Sequence, residues 1–112
     1  MEFFGLSWYK IAQITRIFVY ETLLDPEVLE EAIGKQKKPK ETKLKGYREI
    51  SKDLNDNQKN YHTIIPDKSQ TISGKVYELT KDELKKLDQW EKEYKRITVH
   101  CSDGEAFAYQ LK

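Results

Sequence analysis

The sequence predicts an α+β domain, a mixed sheet able to curl into a barrel with two helices beside it. Three observations predict this. An unbroken apolar run, Ile17-Phe18-Val19-Tyr20, reads as a strand covered on both faces. Two helix starts, Asp25-Pro26 and Thr80-Lys81-Asp82-Glu83, carry their own capping chemistry. Two alternating segments near the C-terminus flank Asp103-Gly104, a hairpin signal in which both turn positions favour positive φ. The order of elements reads β-α-β-β-β-α-β-β.

Residues 1–13 are an irregular mixture in which Phe3, Phe4, Trp8 and Tyr9 need a surface to pack on. They read as an N-terminal extension, with 14–112 as the domain proper. Ile14 to Tyr20 is the first strand, central because its apolar side chains are consecutive. In the helix that follows, Asp25 is the N-cap and Pro26 the first residue. Leu24 and Leu29 are spaced to staple the entry, Val28, Leu29, Ala32 and Ile33 form the buried stripe, and Gly34 ends it.

The segment 35–45 is rich in lysine and leads to a possible edge strand at Leu44-Lys45-Gly46-Tyr47-Arg48. Asn55 to Asn60 is polar and reads as a loop. Tyr61 to Pro66 and Thr71 to Leu79 read as two strands, with Val76 facing one way and Tyr77 and Leu79 the other. Thr80 and Glu83 make a capping box that starts a helix reaching about Glu91. Tyr94 to Cys101 and Glu105 to Leu111 then alternate as paired strands, Ile97, Val99 and Cys101 on one face and Phe107, Tyr109 and Leu111 likewise.

A length of 112 residues implies one domain enclosing one modest core rather than two. The chain is 35% charged yet its net charge is only +1, so no global field draws nucleic acid or an anionic membrane. The single cysteine, Cys101, rules out an internal disulfide and a cysteine-based zinc cage, which makes the reducing cytosol the default compartment. Glu2, Lys10 and Arg16 interrupt the apolar N-terminus, so it does not read as a signal peptide, and no run approaches the roughly 20 apolar residues of a bilayer span. The expectation is a soluble, cytoplasmic protein with no nucleic-acid or membrane partner.

One residue breaks the pattern. At about 100° per residue, Leu84, Leu87 and Trp90 define the apolar arc of the second helix, and Glu91 falls between Leu84 and Leu87 on that wheel. A carboxylate facing a core is costly unless paired, hydrogen-bonded or protonated. Either the helix frays before Glu91 and the side chain swings out or caps a backbone group, or the carboxyl is held in an apolar pocket and poised for proton transfer. Periodicity leaves both open. His62 and His100 lie far apart with no carboxylate at metal-ligand spacing, and read as structural or surface residues. Cys101 reads as a buried core thiol, and the lysine run as a solvated face, its alternative being a phosphate- or RNA-contacting strip.

Several segments together resemble the γ-glutamylcyclotransferase-like superfamily, in particular its γ-glutamylamine cyclotransferase type. Phe18-Val19-Tyr20-Glu21-Thr22-Leu23 is similar to the family's Val-Tyr-Gly-Thr-Leu signature at a strand end. Leu87-Asp88-Gln89-Trp90-Glu91, followed by Tyr94-Lys95-Arg96, resembles its Leu-Asp-x-aromatic-Glu run with a nearby Tyr-x-Arg. Gly74-Lys75-Val76-Tyr77 matches a Gly-x-Val-Tyr strand. Tyr61 to Pro66 stands in the place of a Tyr-Pro-x-Ile/Val segment, with His62 where proline is usual, and Ala106 to Tyr109 in that of the last aromatic strand. The order holds from about residue 14 to residue 111.

The resemblance implies a small mixed β-barrel flanked by short helices, with a pocket at its mouth, no metal and no organic cofactor. It implies a small γ-glutamyl substrate that cyclises to 5-oxoproline and releases an amine or amino acid, with Glu91 as the general acid/base. Tyr20, Glu21, Thr22 and Leu23 would form the binding loop, and Tyr94 and Tyr109 would line the pocket or merely pack. Neither the leaving amine nor an oligomeric state is specified by the pattern. Lys92 also stands where the family often has glycine.

The weightier departure is Glu21, which occupies the place of the family's loop glycine. Glycine there supplies positive φ or close backbone approach; a glutamate either strains the backbone or projects a carboxylate toward the substrate's own. Three readings follow: Glu21 points to solvent, it retunes specificity toward a different substrate, for example a cationic one, or it marks a non-catalytic binding member of the same fold.

Overall fold

The computed structural model describes residues 14–53 and 60–112; the N-terminal extension assigned to 1–13 and nearly all of the polar loop read at 55–60 lie outside the described residues. The elements are β1 (Thr15–Val19), a 3-10 turn (Thr22–Leu24), α1 (Pro26–Ile33), β2 (Lys40–Asp53), β3 (Asn60–Leu79), α2 (Lys81–Trp90), β4 (Tyr94–Cys101) and β5 (Gly104–Leu111). The strands close into a barrel in the order β1-β3-β2-β4-β5. All neighbours are antiparallel except β1 and β5, whose parallel pairing makes the barrel mixed.

The helix starts form as their chemistry dictates. Asp25 Oδ1 accepts from the Glu27 amide at 2.9 Å, Pro26 opens α1, and Gly34 ends it in the left-handed conformation at φ 77°. At α2 the capping box is complete: Glu83 Oε1 accepts from the Thr80 amide at 2.8 Å, and Thr80 Oγ1 from the Glu83 amide at 3.3 Å. Lys37, from the lysine-rich segment, reaches Glu83 Oε1 at 2.8 Å, so one of those lysines anchors the cap.

Among the described residues five strands form, where the sequence reads as six. Tyr61–Pro66 and Thr71–Leu79 belong to one strand, β3, and the short edge strand expected at 44–48 lies within a longer β2. The ladder runs from Lys40↔Val76 to Lys45↔Thr71, shifts register, and resumes from Tyr47↔Pro66 to Asp53↔Asn60. Gly46, at φ 89°, takes up the shift on β2. Across from it Asp67 Oδ1 accepts from the amide and hydroxyl of Ser69. Pro66-Asp67 therefore marks a bulge inside a strand, a local signal that looks the same as a turn. At the β4–β5 hairpin Cys101 pairs with Gly104, so the loop residues are Ser102 and Asp103, one position earlier than read.

The described residues form two cores rather than one, because a closed sheet has an inside and an outside. Phe18, Leu44, Ile64, Ile72, Val76, Val99, Ala106 and Ala108 pack within the barrel. Ile17, Val19, Tyr77, Leu79 and Tyr109 pack outside it against Leu29 and Ile33 of α1 and Leu84 and Leu87 of α2. The consecutive apolar residues of β1 supply alternate side chains to each, and β3 does the same, with Val76 inside and Tyr77 and Leu79 outside. Cys101 is a buried free thiol of the inner core.

The seam between β2 and β4 has one ladder pair, Leu44↔Cys101. It is reinforced where the Ser102 amide donates to the Lys43 carbonyl at 2.9 Å and Thr42 Oγ1 donates to Asp103 Oδ1 at 2.9 Å. Arg16 on β1 pairs with Asp103 Oδ2 at 2.6 Å and also donates to the Glu105 carbonyl. Asp103 thus ties the hairpin turn to both β1 and β2. No helix among the described residues is long and apolar enough to cross a membrane.

Candidate active site

A cavity of about 220 Å³ opens at the barrel end where β1 stops. Tyr20, Glu21, Thr22 and Leu23, which turn the chain from β1 toward α1, line it. Glu91 faces them from the end of α2, and Tyr94 and Tyr109 contribute from β4 and β5. All seven residues singled out in the sequence line this one space.

Glu91 arrives there differently from the helical-wheel expectation. Trp90, placed on the buried arc by periodicity, is 43% exposed, because the helix ends at that residue. Glu91 is the C-cap, at φ −101° and ψ 45°; its amide still donates to the Leu87 carbonyl at 2.9 Å. Its own carbonyl accepts from the Tyr94 amide at 2.9 Å, closing a tight turn into β4. The helix does end before Glu91, yet the side chain turns into the cavity rather than out to solvent. Burial first, and the neighbouring Glu93 carboxylate second, push its pKa up from 4.5 to about 7.

Asp88, the acid of the Leu-Asp-x-aromatic-Glu run, holds this helix end in place. Its Oδ1 accepts from the Tyr109 hydroxyl at 2.6 Å and from Arg96 Nε at 3.2 Å. The Arg of the Tyr-x-Arg segment and the Tyr of the last strand thus converge on one carboxylate, three residues before Glu91. The Tyr94 hydroxyl donates to the His62 carbonyl at 2.8 Å, and the Tyr20 hydroxyl to the Tyr109 carbonyl. Burial raises the pKa of Tyr94 to about 12 and those of Tyr20 and Tyr109 further, so all three stay neutral, their protons committed to these acceptors rather than to Glu91.

The backbone at Glu21 has φ −137°, outside the left-handed region, so glutamate is accommodated in this turn without the strain that positive φ would impose. Its carboxylate, half-buried at the cavity rim, does not simply point to solvent. Glu21 Oε2 lies 3.3 Å from His62 Nδ1, and Glu49 Oε2 lies 3.1 Å from the same nitrogen. Burial and the adjacent Glu21 raise the pKa of Glu49 to about 7, against the opposing pull of His62.

Sequence reasoning missed this cluster and the contribution of Tyr61, His62 and Glu93 to the cavity. Glu49 and His62 are diagonal neighbours on the β2–β3 ladder, where Ser51 pairs with His62 and Glu49 with Ile64. That register depends on a pairing 13 residues apart in sequence, and Glu21 joins from a third element. The one available signal was that His62 itself departs from the family pattern.

A family model described as "Gamma-glutamyl cyclotransferase, AIG2-like" matches residues 17–111. Among solved structures, one from Arabidopsis thaliana, determined in solution, is 27% identical; the match covers 88% of this chain and 69% of that one with a TM-score of 0.73. A structure titled "Gamma-glutamyl cyclotransferase" is 16% identical, over 88% of this chain and 67% of that one, with a TM-score of 0.71. An uncharacterised protein of Pyrococcus horikoshii is 22% identical, over 87% and 77%, with a TM-score of 0.66. The last two likenesses speak to the fold alone. No curated protein matches the sequence.

Proposed function

The chain belongs to the gamma-glutamyl cyclotransferase, AIG2-like family, and from that premise we propose that it cyclises a γ-glutamyl compound to 5-oxoproline with release of an amine or amino acid. The observation that carries this reading is the placement of Glu91, half-buried and with its pKa near 7, across one cavity from the Tyr20–Leu23 turn.

In this reading the substrate's γ-glutamyl group lies folded in the cavity with its α-nitrogen near its own γ-carbonyl. Holding that conformer makes ring closure intramolecular, a saving of several kcal/mol in orientation. Glu91, as carboxylate, takes a proton from the α-ammonium. The freed nitrogen attacks the γ-carbon, and the C–N bond to the leaving amine breaks. The α-nitrogen loses two protons in becoming a lactam N–H, and the leaving nitrogen gains two in becoming an ammonium. One carboxyl that accepts and returns each proton therefore suffices, and its pKa near 7 suits both directions.

The amides of Thr22 and Leu23 start the 3-10 turn and have no partner within it, which suits them to stabilise the oxyanion that develops on the γ-carbonyl. The neutral hydroxyls of Tyr20, Tyr94 and Tyr109 surround the carboxyl without adding charge.

The test is incubation of the protein with γ-glutamyl dipeptides and γ-glutamyl-ε-lysine, with 5-oxoproline followed by mass spectrometry. Turnover is expected for at least one compound, and Glu91→Gln is expected to lower kcat by about 100-fold or more. Undiminished turnover in that variant would remove the proposed acid/base. A second reading, a binding member of the fold without turnover, is favoured by the Glu21 carboxylate on the cavity rim. Activity that appears only in Glu21→Gly would decide for it.

A further inference from the structure

The geometry points to a divalent transition-metal site at the rim of the cavity, with Glu21, Glu49 and His62 as its three protein ligands and zinc(II) as the cation it fits. These three residues each offer one ligand atom, and the three atoms all lie within 4.8 Å of one another. His62 Nδ1 is 3.3 Å from Glu21 Oε2 and 3.1 Å from Glu49 Oε2. Two donors bound to one metal at about 2.1 Å and separated by 90–110° stand about 3.0–3.4 Å apart, so both spacings fall in the range of shared coordination.

Without a cation the three side chains can be held only by protons shared among them: Glu49 with Glu21, and His62 Nδ1 with one of the two. Nδ1 carries at most one proton and can donate it to only one of the two carboxylates facing it. A cation between the three atoms engages all of them at once and offsets two like charges brought together.

An independent observation singles out two of these three residues. Glu21 and His62 stand where the family resemblance carries glycine and proline, and they are the two departures that fall within the matched Val-Tyr-Gly-Thr-Leu and Tyr-Pro segments. They are 41 positions apart in the chain, yet they meet at the same point in space. Glu49 completes the set from the adjoining strand, where β alternation places it on the face that His62 occupies. An imidazole with two carboxylates suits zinc and its neighbours in the first transition row, whereas calcium takes six or more oxygen ligands and magnesium keeps its waters.

The site stands without the catalytic reading. If that reading also holds, zinc(II) at this rim cancels the charges of Glu21 and Glu49 and so removes their repulsion of a substrate carboxylate.

Isothermal titration of the metal-free protein with zinc chloride alone, in the absence of substrate, tests the site. One equivalent is expected to bind with a micromolar or tighter Kd, while magnesium and calcium chlorides give no comparable heat. His62→Gln and Glu49→Gln each lower the affinity at least tenfold, with unchanged circular dichroism spectra. Glu21→Gly does so as well. His100→Gln, altering a histidine on the exposed β4 face, retains full affinity. Absence of stoichiometric binding, or affinity untouched by His62→Gln in folded protein, overturns the proposal. Because the readout is heat rather than turnover, a protein that binds zinc but makes no 5-oxoproline sinks only the catalytic reading.

Discussion

Glu91 is a carboxyl whose folded-state pKa lies near 7 instead of 4.5, and this shift has consequences for stability as well as chemistry. Between those two values the folded protein retains a proton that the unfolded chain has released. Stability therefore falls as pH rises through that window. Glu91→Gln removes the titration, so its stability relative to the natural chain is expected to improve from pH 5 to pH 8, measured as the difference in urea midpoints at each pH. Parallel pH profiles for the two proteins would place the carboxyl in water. In the active protein kcat/KM is expected to rise as pH passes through about 7. The titratable residues that line the cavity with Glu91 are Tyr20, Glu21, Tyr61, His62, Glu93, Tyr94 and Tyr109. Tyr20, Tyr94 and Tyr109 titrate far higher, and Glu93 contributes mainly by keeping the Glu91 proton on.

Among the elements, β3 makes the most exacting demand on its sequence. A Cβ added at Gly74 would lie 2.4 Å from the Val19 carbonyl oxygen and 2.6 Å from the Phe18 ring. The glycine of the Gly-x-Val-Tyr segment is thus needed for close approach, since β1 crosses β3 here with the Phe18 ring laid over the backbone. Gly74→Ala is expected to destabilise by about 1–3 kcal/mol, because backbone on one side and a packed ring on the other cannot both yield. Equilibrium denaturation measures it, and an unchanged midpoint would mean that β1 shifts freely. The same segment ends in Leu79, from which the Thr80–Glu83 cap turns the chain into α2. Asp88 then docks that helix through Tyr109 and Arg96. The position of Glu91 is therefore fixed by a cap at one end of α2 and a carboxylate clamp at the other.

For the molecule as a whole, the two cores share their walls. β1 sends Phe18 inward and Ile17 and Val19 outward, and β3 sends Val76 inward and Tyr77 and Leu79 outward. Neither core can be lost while the other keeps its strands, so thermal unfolding is expected to be one cooperative transition, with equal calorimetric and van't Hoff enthalpies. Two resolved transitions would show that helices and barrel melt separately. The sequence by itself determined whatever depends on near neighbours. Both helix caps, the covered first strand and the final hairpin follow from residues a few positions apart, because caps, alternation and turn preference act over that range. The identity of Glu91, and its oddity on a helix, were equally legible. Tertiary structure alone decided the rest. It joined Tyr61–Pro66 to Thr71–Leu79 through a bulge that resembles a turn in sequence, and made two cores by closing the sheet. It brought Glu21, Glu49 and His62 to one point, because strand register, not sequence spacing, determines which distant side chains meet.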